Sequence, residues 1–207
     1  MNLFGERTPF ADLYETVERP EDLPWHREEP WPLLRRVVEA DDDPGRALDL
    51  GCGAGEFAVF LAQAGYKVVG IDLHETPLQM AQTRAEREGV DLTLVQADVL
   101  DWRADHPYDL VLDSGLYHGL TDPERETYRE RLHHRLARSG NFVLTHFAKK
   151  HVLDWRPVGP RRRSQETVQA EFSPMLRQID YEEEVQTGVP LPVGPWPLVG
   201  QYWFRWA

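Results

Sequence analysis

A glycine-rich turn between a short apolar stretch and a helix constrains the fold of this chain more than any other feature. Residues 47–57 read ALDLGCGAGEF, in which the glycines follow a stretch that is typical of a buried strand. Apolar residues then recur at the spacing of one helix face until Gly65. Glycines let the backbone turn tightly and let a ligand approach it, and the start of a helix directs free N–H groups at that ligand. The segment therefore predicts a ligand-binding loop after the first strand of an α/β sheet.

The rest of the chain continues this alternation of strand and helix. Strands are predicted at residues 47–50, 67–73, 92–97, 108–113, 141–146, 176–186 and 201–206. Helices are predicted at residues 30–40, 57–64, 77–88, 122–139 and 165–171; Thr76 caps the third, with Pro77 at its first position, and Thr121 with Glu124 caps the fourth. The alternation predicts a doubly wound, mainly parallel sheet. The last two strands are joined by a Pro-rich loop at 187–199 without a helix, and they predict an antiparallel hairpin.

Composition limits the partners that this chain can have. Lys and Arg number 23 against 35 Asp and Glu, and the formal net charge of −12 disfavours nucleic acids and acidic membranes. No apolar run reaches the ~18 residues that a membrane span requires, and the first residues show no secretory pattern. The single cysteine, Cys52, excludes an internal disulfide and fits a reducing compartment. We expect a cytoplasmic monomer or homodimer whose partner is a small molecule.

An acidic residue ends the second predicted strand. Asp72 lies 21 residues after Gly51, where a carboxylate can accept both hydroxyl hydrogens of a ribose. The rival interpretation is a nicotinamide or flavin dinucleotide site, whose fingerprint is GxGxxG. Here the third glycine, Gly55, comes one position early, and Asp49 and Glu56 would bring negative charge near a pyrophosphate. These acids favour a cofactor that carries positive charge.

Four successive motifs resemble those of class I S-adenosylmethionine methyltransferases: DLGCGAG at 49–55, GIDL at 70–73, QADV at 96–99 and YDLVLDSG at 108–115. The resemblance covers roughly residues 25–148. It implies a seven-stranded, Rossmann-like α/β sheet whose last pair is antiparallel. It also implies S-adenosylmethionine as cofactor, S-adenosylhomocysteine as product, and no metal ion.

The same resemblance implies a role for each motif residue. Asp49 lies near the ammonium group of the cofactor, and Asp72 binds its ribose hydroxyls. The other implied cofactor contacts are Gly51, Gly53 and Gly55 along the methionine and ribose, Leu73 against the adenine, Asp98 and Val99 at the adenine edge, and Asp113 and Ser114 beside the sulfonium.

Three further segments resemble the thiopurine methyltransferase-like group of small-molecule enzymes, which commonly methylate sulfur or other soft nucleophiles. They are Pro24 with Trp25, DSGLYH at 113–118, and the Gly-Pro-Arg sequence that ends at Arg161. The arginines at 161–163 depart from that pattern, because apolar residues often stand there.

Several residues beside these motifs have both a structural and a functional interpretation. Trp25 and Trp31 either anchor the N-terminal segment or close over the methyl group, Trp25 on the cofactor side and Trp31 on the substrate side, since an aromatic face suits a sulfonium cation. His118 is either a neutral packing histidine or a substrate contact and catalytic base, and Tyr117 belongs either to the core or to the substrate pocket. Arg161 begins a run that is either solvated or grips an anionic substrate.

The sequence thus predicts one methyltransferase domain over residues 1–207. Residues 1–40 form an N-terminal helical or lid segment, 45–148 the cofactor-binding core, and 149–207 a substrate-side cap with the terminal strands. The predicted reaction is methyl transfer from S-adenosylmethionine to a sulfur, nitrogen or oxygen nucleophile of a small molecule, with thiols and anionic metabolites among the candidates. The alternatives are a non-catalytic S-adenosylmethionine-binding protein and a macromolecule methyltransferase.

Overall fold

A computed structural model describes residues 10–17, 19–23, 25–149, 162–186 and 197–207. The helices are α1 (Phe10–Thr16), α2 (Pro32–Glu39), α3 (Glu56–Gln63), α4 (Glu75–Glu88), α5 (Asp122–Arg135) and α6 (Gln165–Phe172), with short 3₁₀ helices at Pro20–Asp22 and Tyr117–Gly119. The strands are β1 (Arg46–Leu50), β2 (Lys67–Asp72), β3 (Leu92–Gln96), β4 (Tyr108–Ser114), β5 (Leu136–Phe147), β6 (Leu176–Val185) and β7 (Leu198–Trp206).

The seven strands form one sheet in the order β3-β2-β1-β4-β5-β7-β6. The first five strands in that order are parallel, and β7 runs antiparallel to both of its neighbours, β5 and β6. This confirms the predicted doubly wound sheet with its antiparallel hairpin. The strand order reverses between β1 and β4, so a crevice opens at the carboxyl ends of these strands, where this kind of fold binds ligands.

Apolar side chains cover both faces of the sheet. On one face, the buried residues of α5 and α6, among them Tyr128, Leu132 and Phe172, form a cluster with β4, β5 and β7. On the other face, α2 and α3 pack against β1 and β4. Four apolar residues of α2 lie at the spacing of one helix face and are buried: Leu33, Leu34, Val37 and Val38. Helices therefore cover both faces of the sheet, and a site can form at the carboxyl ends of its strands.

Three predicted element boundaries are wrong. Helix α4 begins at Glu75 after His74, not at Pro77 after a Thr76 cap, and a proline in the first turn is tolerated because its missing N–H has no helical partner there. Strand β5 begins at Leu136, where its pairing with β4 shifts register, and β7 already includes Leu198 and Val199 of the predicted loop. The Thr121–Glu124 capping box is confirmed.

Candidate functional site

The glycine-rich loop turns sharply between β1 and α3. The N–H groups of Gly51 and Cys52 both donate to the Ile71 carbonyl oxygen, at 2.8 and 2.9 Å, which ties the loop to β2. Gly53 has φ +54°, and a Cβ at this position would lie 2.5 Å from the Tyr14 hydroxyl oxygen. The left-handed φ favours glycine here, and any side chain would also have to displace the hydroxyl of Tyr14, a residue of α1 for which the sequence showed no signal.

A buried carboxyl group lies beneath this loop. The Asp49 side chain is 1% exposed, and its Oδ2 has no hydrogen-bond partner among the described residues. Burial raises the pKa of Asp49 to about 8, and the nearby carboxyl groups of Asp113, Asp72 and Glu56 add to the rise. The Ala58 N–H hydrogen-bonds this carboxyl, but Oδ2 is left without a partner. Ionising an acid in such a place is costly unless a cation compensates its charge, and the position thus suits a bound positive charge.

Asp72 links the glycine loop to the start of α4. Its Oδ2 accepts from the Gly53 N–H and its Oδ1 from the His74 N–H, both at 3.0 Å. Burial raises the pKa of this carboxyl, and the two backbone N–H groups limit the rise. Leu73, the next residue, has 40% of its surface exposed, which is unusual for a large apolar side chain. Asp72 is thus placed to accept hydrogen bonds from the hydroxyl groups of a ribose, and the exposed side chain of Leu73 beside it is placed to contact the attached base.

Hydrogen bonds within the turn that follows β3, and from α5, hold this turn in place. Asp98 Oδ1 accepts from the Leu100 N–H at 2.8 Å, and Val99 is buried. Arg135 donates to the Val99 carbonyl oxygen, so α5 supports this turn from below. Asp98 and Val99 consequently lie in one ordered turn beside the end of β2.

The two polar residues at the end of β4, Asp113 and Ser114, point to opposite faces of the sheet. The Asp113 carboxylate is fully buried and accepts from the Tyr128 hydroxyl at 2.8 Å and from the Leu116 and Tyr117 N–H groups at 2.9 and 3.2 Å. Burial raises its pKa to about 6, and these donors limit the rise. The Asp113 side chain therefore holds the turn from inside. Ser114 points to the other face, where its Oγ accepts from Trp31 Nε1 at 3.0 Å.

Tyr117 and His118 follow in the turn that Asp113 holds. The Tyr117 ring is fully buried, and its hydroxyl donates to Glu171 Oε2 at 2.8 Å and accepts from Arg129 at 3.0 Å, which places it in the core. His118 is 8% exposed, and its Nδ1 has no hydrogen-bond partner among the described residues. Burial lowers the pKa of His118 to about 3. The imidazole is therefore neutral at pH 7, which agrees with the interpretation of His118 as a packing residue. A neutral ring also carries one nitrogen lone pair that can accept a proton.

Two aromatic contacts fasten the N-terminal segment to the site. Tyr14 packs edge-on against Trp25, with ring centroids 5.6 Å apart, and both contact the glycine loop around Ala54. Trp31 is 4% exposed, and the Arg27 guanidinium lies 3.7 Å from the centroid of its ring. Both tryptophans therefore lie at the carboxyl edge of the sheet, Trp25 over the loop and Trp31 beside β4.

Glu56, the acid at the start of α3, is engaged by basic side chains. It contacts His26 Nδ1, and Arg84 lies 3.6 Å away while donating to the Ala54 carbonyl oxygen. The sequence interpretation counted Glu56 as free negative charge at the cofactor. The structure instead shows Glu56 tying the N-terminal segment to α3, so Asp49 and Asp72 carry the electrostatic argument.

Part of the predicted substrate side lies outside the described residues. Arg161, the Gly-Pro pair before it, Pro24 and residues 187–196 belong to this part. Arg162 and Arg163 of the arginine run are described, and Arg163 forms ion pairs at 2.6 Å with both Asp122 and Glu171. Its charge is thus compensated within the protein.

A histidine that the sequence did not single out lies beside His118. His146, at the end of β5, is fully buried, and its ring centroid is 5.9 Å from that of His118. Burial lowers its pKa to about 4. A histidine within an apolar strand gave no functional signal, because only the pairing of β5 with β4 brings it to the site. Within the described ranges, no group of three potential metal ligands and no helix able to cross a membrane is found.

Comparisons with known proteins agree with this geometry. A family described as "Methyltransferase domain" matches residues 47–140. The 2-heptyl-1-hydroxyquinolin-4(1H)-one methyltransferase of Mycobacteroides abscessus is 30% identical over 67% of this chain and 65% of its own length. Thiocyanate methyltransferase 1 of Brassica oleracea is 29% identical over 58% of this chain and 54% of its own length. The chain thus spans about two thirds or less of these two relatives.

Solved structures show the same fold at low identity. A structure described under "Conversion of a Disulfide Bond into a Thioacetal Group during Echinomycin Biosynthesis" has a TM-score of 0.73 and 24% identity, covering 89% of this chain and 85% of that one. The 1,6-didemethyltoxoflavin-N1-methyltransferase of Burkholderia thailandensis, bound to its substrate and S-adenosylhomocysteine, has a TM-score of 0.65 and 22% identity, covering 84% and 75%.

Proposed function

We propose that the chain is a class I, S-adenosylmethionine-dependent methyltransferase that transfers a methyl group to a nucleophilic atom of a small molecule; its match to a methyltransferase domain over residues 47–140 supports this. The observation that carries the proposal is the buried carboxyl of Asp49 beneath the glycine loop, whose Oδ2 has no hydrogen-bond partner among the described residues. A bound ammonium group would compensate the ionised form of Asp49, whereas a pyrophosphate would add like charge beside Asp72 and would gain nothing from a protonated Asp49. The residues present therefore fit S-adenosylmethionine.

The chain's own residues would hold the cofactor and exclude water. We assign Asp49 to the ammonium group, Asp72 to the ribose hydroxyls and Leu73 to the adenine, with Asp98 and Val99 at the adenine edge. The Tyr14–Trp25 pair covers the glycine loop, which shields the site from solvent. S-adenosylmethionine, when bound, supplies a methyl group already activated by its sulfonium. The protein then needs to orient the acceptor and manage its proton.

A small-molecule acceptor is supported by the relatives and by charge. The two relatives above are named for a hydroxyquinolone and for thiocyanate. The net charge of −12 opposes binding of nucleic acids. We propose no metal requirement, and a monomer or homodimer as the active form. The thiopurine methyltransferase-like subgroup stays a prediction.

Binding measurements test the cofactor assignment. Calorimetry should detect S-adenosylmethionine and S-adenosylhomocysteine but not NAD. Asp72→Asn should weaken binding by about 2 kcal/mol, because an amide cannot accept both ribose hydroxyls as a carboxylate does. Asp91→Asn, at an exposed position beside β3, is the matched control and should bind as the wild type does. NAD binding, or an unchanged affinity in Asp72→Asn, would refute the assignment.

Activity measurements separate an enzyme from a binding protein. Transfer of a radiolabelled methyl group to a panel of thiols, hydroxyl-bearing heterocycles and thiocyanate should show turnover with at least one of them. Binding of the cofactor without transfer to any small acceptor would favour the non-catalytic alternative. Transfer only to protein or nucleic acid would favour the macromolecule alternative.

A further inference from the structure

We propose that His146 is a positioning residue that fixes the tautomer of His118, so that His118 Nε2 takes the proton of a protic acceptor. The inference rests on the proposed methyltransferase function and deepens it by naming the acceptor class. The acceptor would carry an O–H or N–H group, as hydroxyl-bearing or azole heterocycles do.

The starting observation is a pair of buried nitrogens without partners. His118 Nδ1 and His146 Nε2 are both inaccessible to solvent, and neither has a hydrogen-bond partner among the described residues. Their rings meet edge to face, at 89° with centroids 5.9 Å apart. Leaving one such polar atom unpaired in a protein interior is destabilising, so two of them side by side require an explanation.

The tautomer of His146 follows from its contact with the backbone. Its Nδ1 lies 2.9 Å from the Phe147 carbonyl oxygen, which can only accept a hydrogen bond. Burial lowers the pKa of both histidines far enough to keep them neutral at pH 7, so each ring has one N–H and one lone pair. The N–H of His146 is therefore at Nδ1, and its Nε2 carries a lone pair that needs a donor.

One tautomer of His118 satisfies both orphan nitrogens. If His118 carries its hydrogen on Nδ1, rotation of its ring towards His146 lets this N–H donate to His146 Nε2. The opposite tautomer would set two lone pairs against each other. Gly115, at φ +102°, leaves room for the movement, because a Cβ there would lie 3.1 Å from His118 Cε1.

Tyr117 and Arg125 also lie beside the pair. Arg125 Nη2 donates to the His118 carbonyl oxygen at 3.5 Å, while its Nε and Nη1 have no hydrogen-bond partner among the described residues. The Tyr117 ring lies 6.1 Å from that of His146, but its hydroxyl is bonded to Glu171 and Arg129. On the remaining side, His118 packs against the ring of Phe147, with centroids 4.6 Å apart. The edge-to-face contact of the two rings makes His118 Nδ1 and His146 Nε2 the donor and acceptor that we match.

The resulting chain of groups is a base with an orienting partner. The Phe147 carbonyl fixes His146, His146 fixes His118, and His118 Nε2 presents a lone pair, an arrangement that general bases use. The acceptor heteroatom bonds the methyl carbon as the carbon–sulfur bond breaks, S-adenosylhomocysteine leaves with that electron pair, and the acceptor's proton passes to His118 Nε2. The site holds one positive charge before the transfer and one after it.

This chemistry distinguishes protic acceptors from anions that have no proton to lose. A neutral imidazole offers an anion a lone pair and no charge, and nearby Arg163 is committed to Asp122 and Glu171. The His118–His146 pair should therefore increase the rate of methyl transfer to a hydroxyquinolone and leave the rate with thiocyanate unchanged.

Kinetics of His146 variants with these two acceptors test the inference. For 2-heptyl-1-hydroxyquinolin-4(1H)-one, His146→Phe should lower kcat about 10²-fold, because Phe cannot accept the His118 proton. His146→Gln should recover most of that loss, since its amide oxygen can accept. Turnover of thiocyanate and calorimetric affinity for S-adenosylhomocysteine should stay near wild type, as should all rates of the exposed control His134→Phe. Equal losses with both acceptors, or no rescue by Gln, would overturn the inference and leave His146 a structural residue.

A spectroscopic measurement decides the question without activity. Long-range ¹H–¹⁵N spectra of the S-adenosylhomocysteine-bound wild-type protein report which ring nitrogen carries the hydrogen. The inference requires Nδ1–H on both His118 and His146, and Nε2–H on His118 would refute it even if methyl transfer is confirmed. If the wild type methylates neither acceptor, the proposed reaction with them fails, and the spectra alone decide the tautomer.

Discussion

Replacing Asp49 by asparagine should stabilise the free protein and weaken its binding of S-adenosylmethionine. The Asp49 carboxyl is buried, and its pKa is raised from the ordinary 3.8 to about 8. Between pH 4 and pH 8 the unfolded chain releases this proton while the folded chain keeps it. The folded state accordingly loses stability as pH rises through this window, by about 1.4 kcal/mol per pH unit.

The magnitude follows from the size of that window. At pH 7, some three units above the ordinary pKa, the penalty is about 4 kcal/mol. An amide does not titrate, although it must still be buried, so we expect Asp49→Asn to gain roughly 2–4 kcal/mol at pH 7. For a chain of this size that corresponds to a melting temperature higher by about 5–15 °C. The gain should shrink to nothing near pH 4.

Cofactor binding should move in the opposite direction. A bound ammonium group favours the ionised carboxylate, so binding below pH 8 should release up to one proton from Asp49. Asp49→Asn should release none at this site and should bind about 10- to 100-fold more weakly.

Thermal unfolding from pH 4 to pH 8, together with calorimetry in buffers of different ionisation enthalpy, measures both effects. Asp91→Asn is again the matched control. A stability difference that does not grow with pH, or equal proton release from both proteins, would refute the reasoning.

Two other substitutions probe the walls of the site. Leu73→Ala should weaken cofactor binding by about 1 kcal/mol without lowering the melting temperature, because we assign this exposed side chain to the adenine position. Val185→Ala, at an exposed position on β6, is the control. If calorimetry shows an unchanged affinity for Leu73→Ala, Leu73 is not part of the site. Gly53→Ala should lower both stability and affinity, by about 1–3 kcal/mol each, because its Cβ collides with the Tyr14 hydroxyl and its φ is left-handed. A wild-type melting temperature for Gly53→Ala would contradict that contact.

The parts of the fold that local sequence determines were predictable. Apolar periodicity placed all seven strands, and the glycines, with Asp49 and Asp72 around them, marked the loop where the strand order reverses. The boundary errors arose where the tertiary structure prevails over local signals. Gly140 is the clearest case: a side chain there would lie 2.9 Å from the Tyr108 carbonyl oxygen, so close strand pairing with β4, rather than a helix end, accounts for this glycine.

The residues that sequence reasoning missed depend on contacts between distant segments. Tyr14 reaches the glycine loop only because α1 packs against α4, and nothing in its neighbourhood in the sequence indicates this. His146 lies beside His118 through the pairing of β5 with β4. The direction of the Asp113 side chain likewise depends on Tyr128, which is 15 residues further along the chain. Motif and spacing identify which loops form the site, but not which side chains close it.

The electrostatics of the acidic cradle formed by Asp49, Asp72 and Asp113 around the glycine loop explain why one loop geometry would select one class of cofactor. Asp113 and Asp72 both raise the pKa of Asp49, so the free protein keeps Asp49 protonated and thereby avoids a cluster of buried charges. A cation that enters the cradle reverses this balance, because it makes ionisation of Asp49 favourable and gains its attraction in surroundings with little water. A pyrophosphate would gain nothing from a protonated acid and would be repelled by Asp72. In the proposed function, the same group that destabilises the free protein at neutral pH therefore supplies the selectivity of the site.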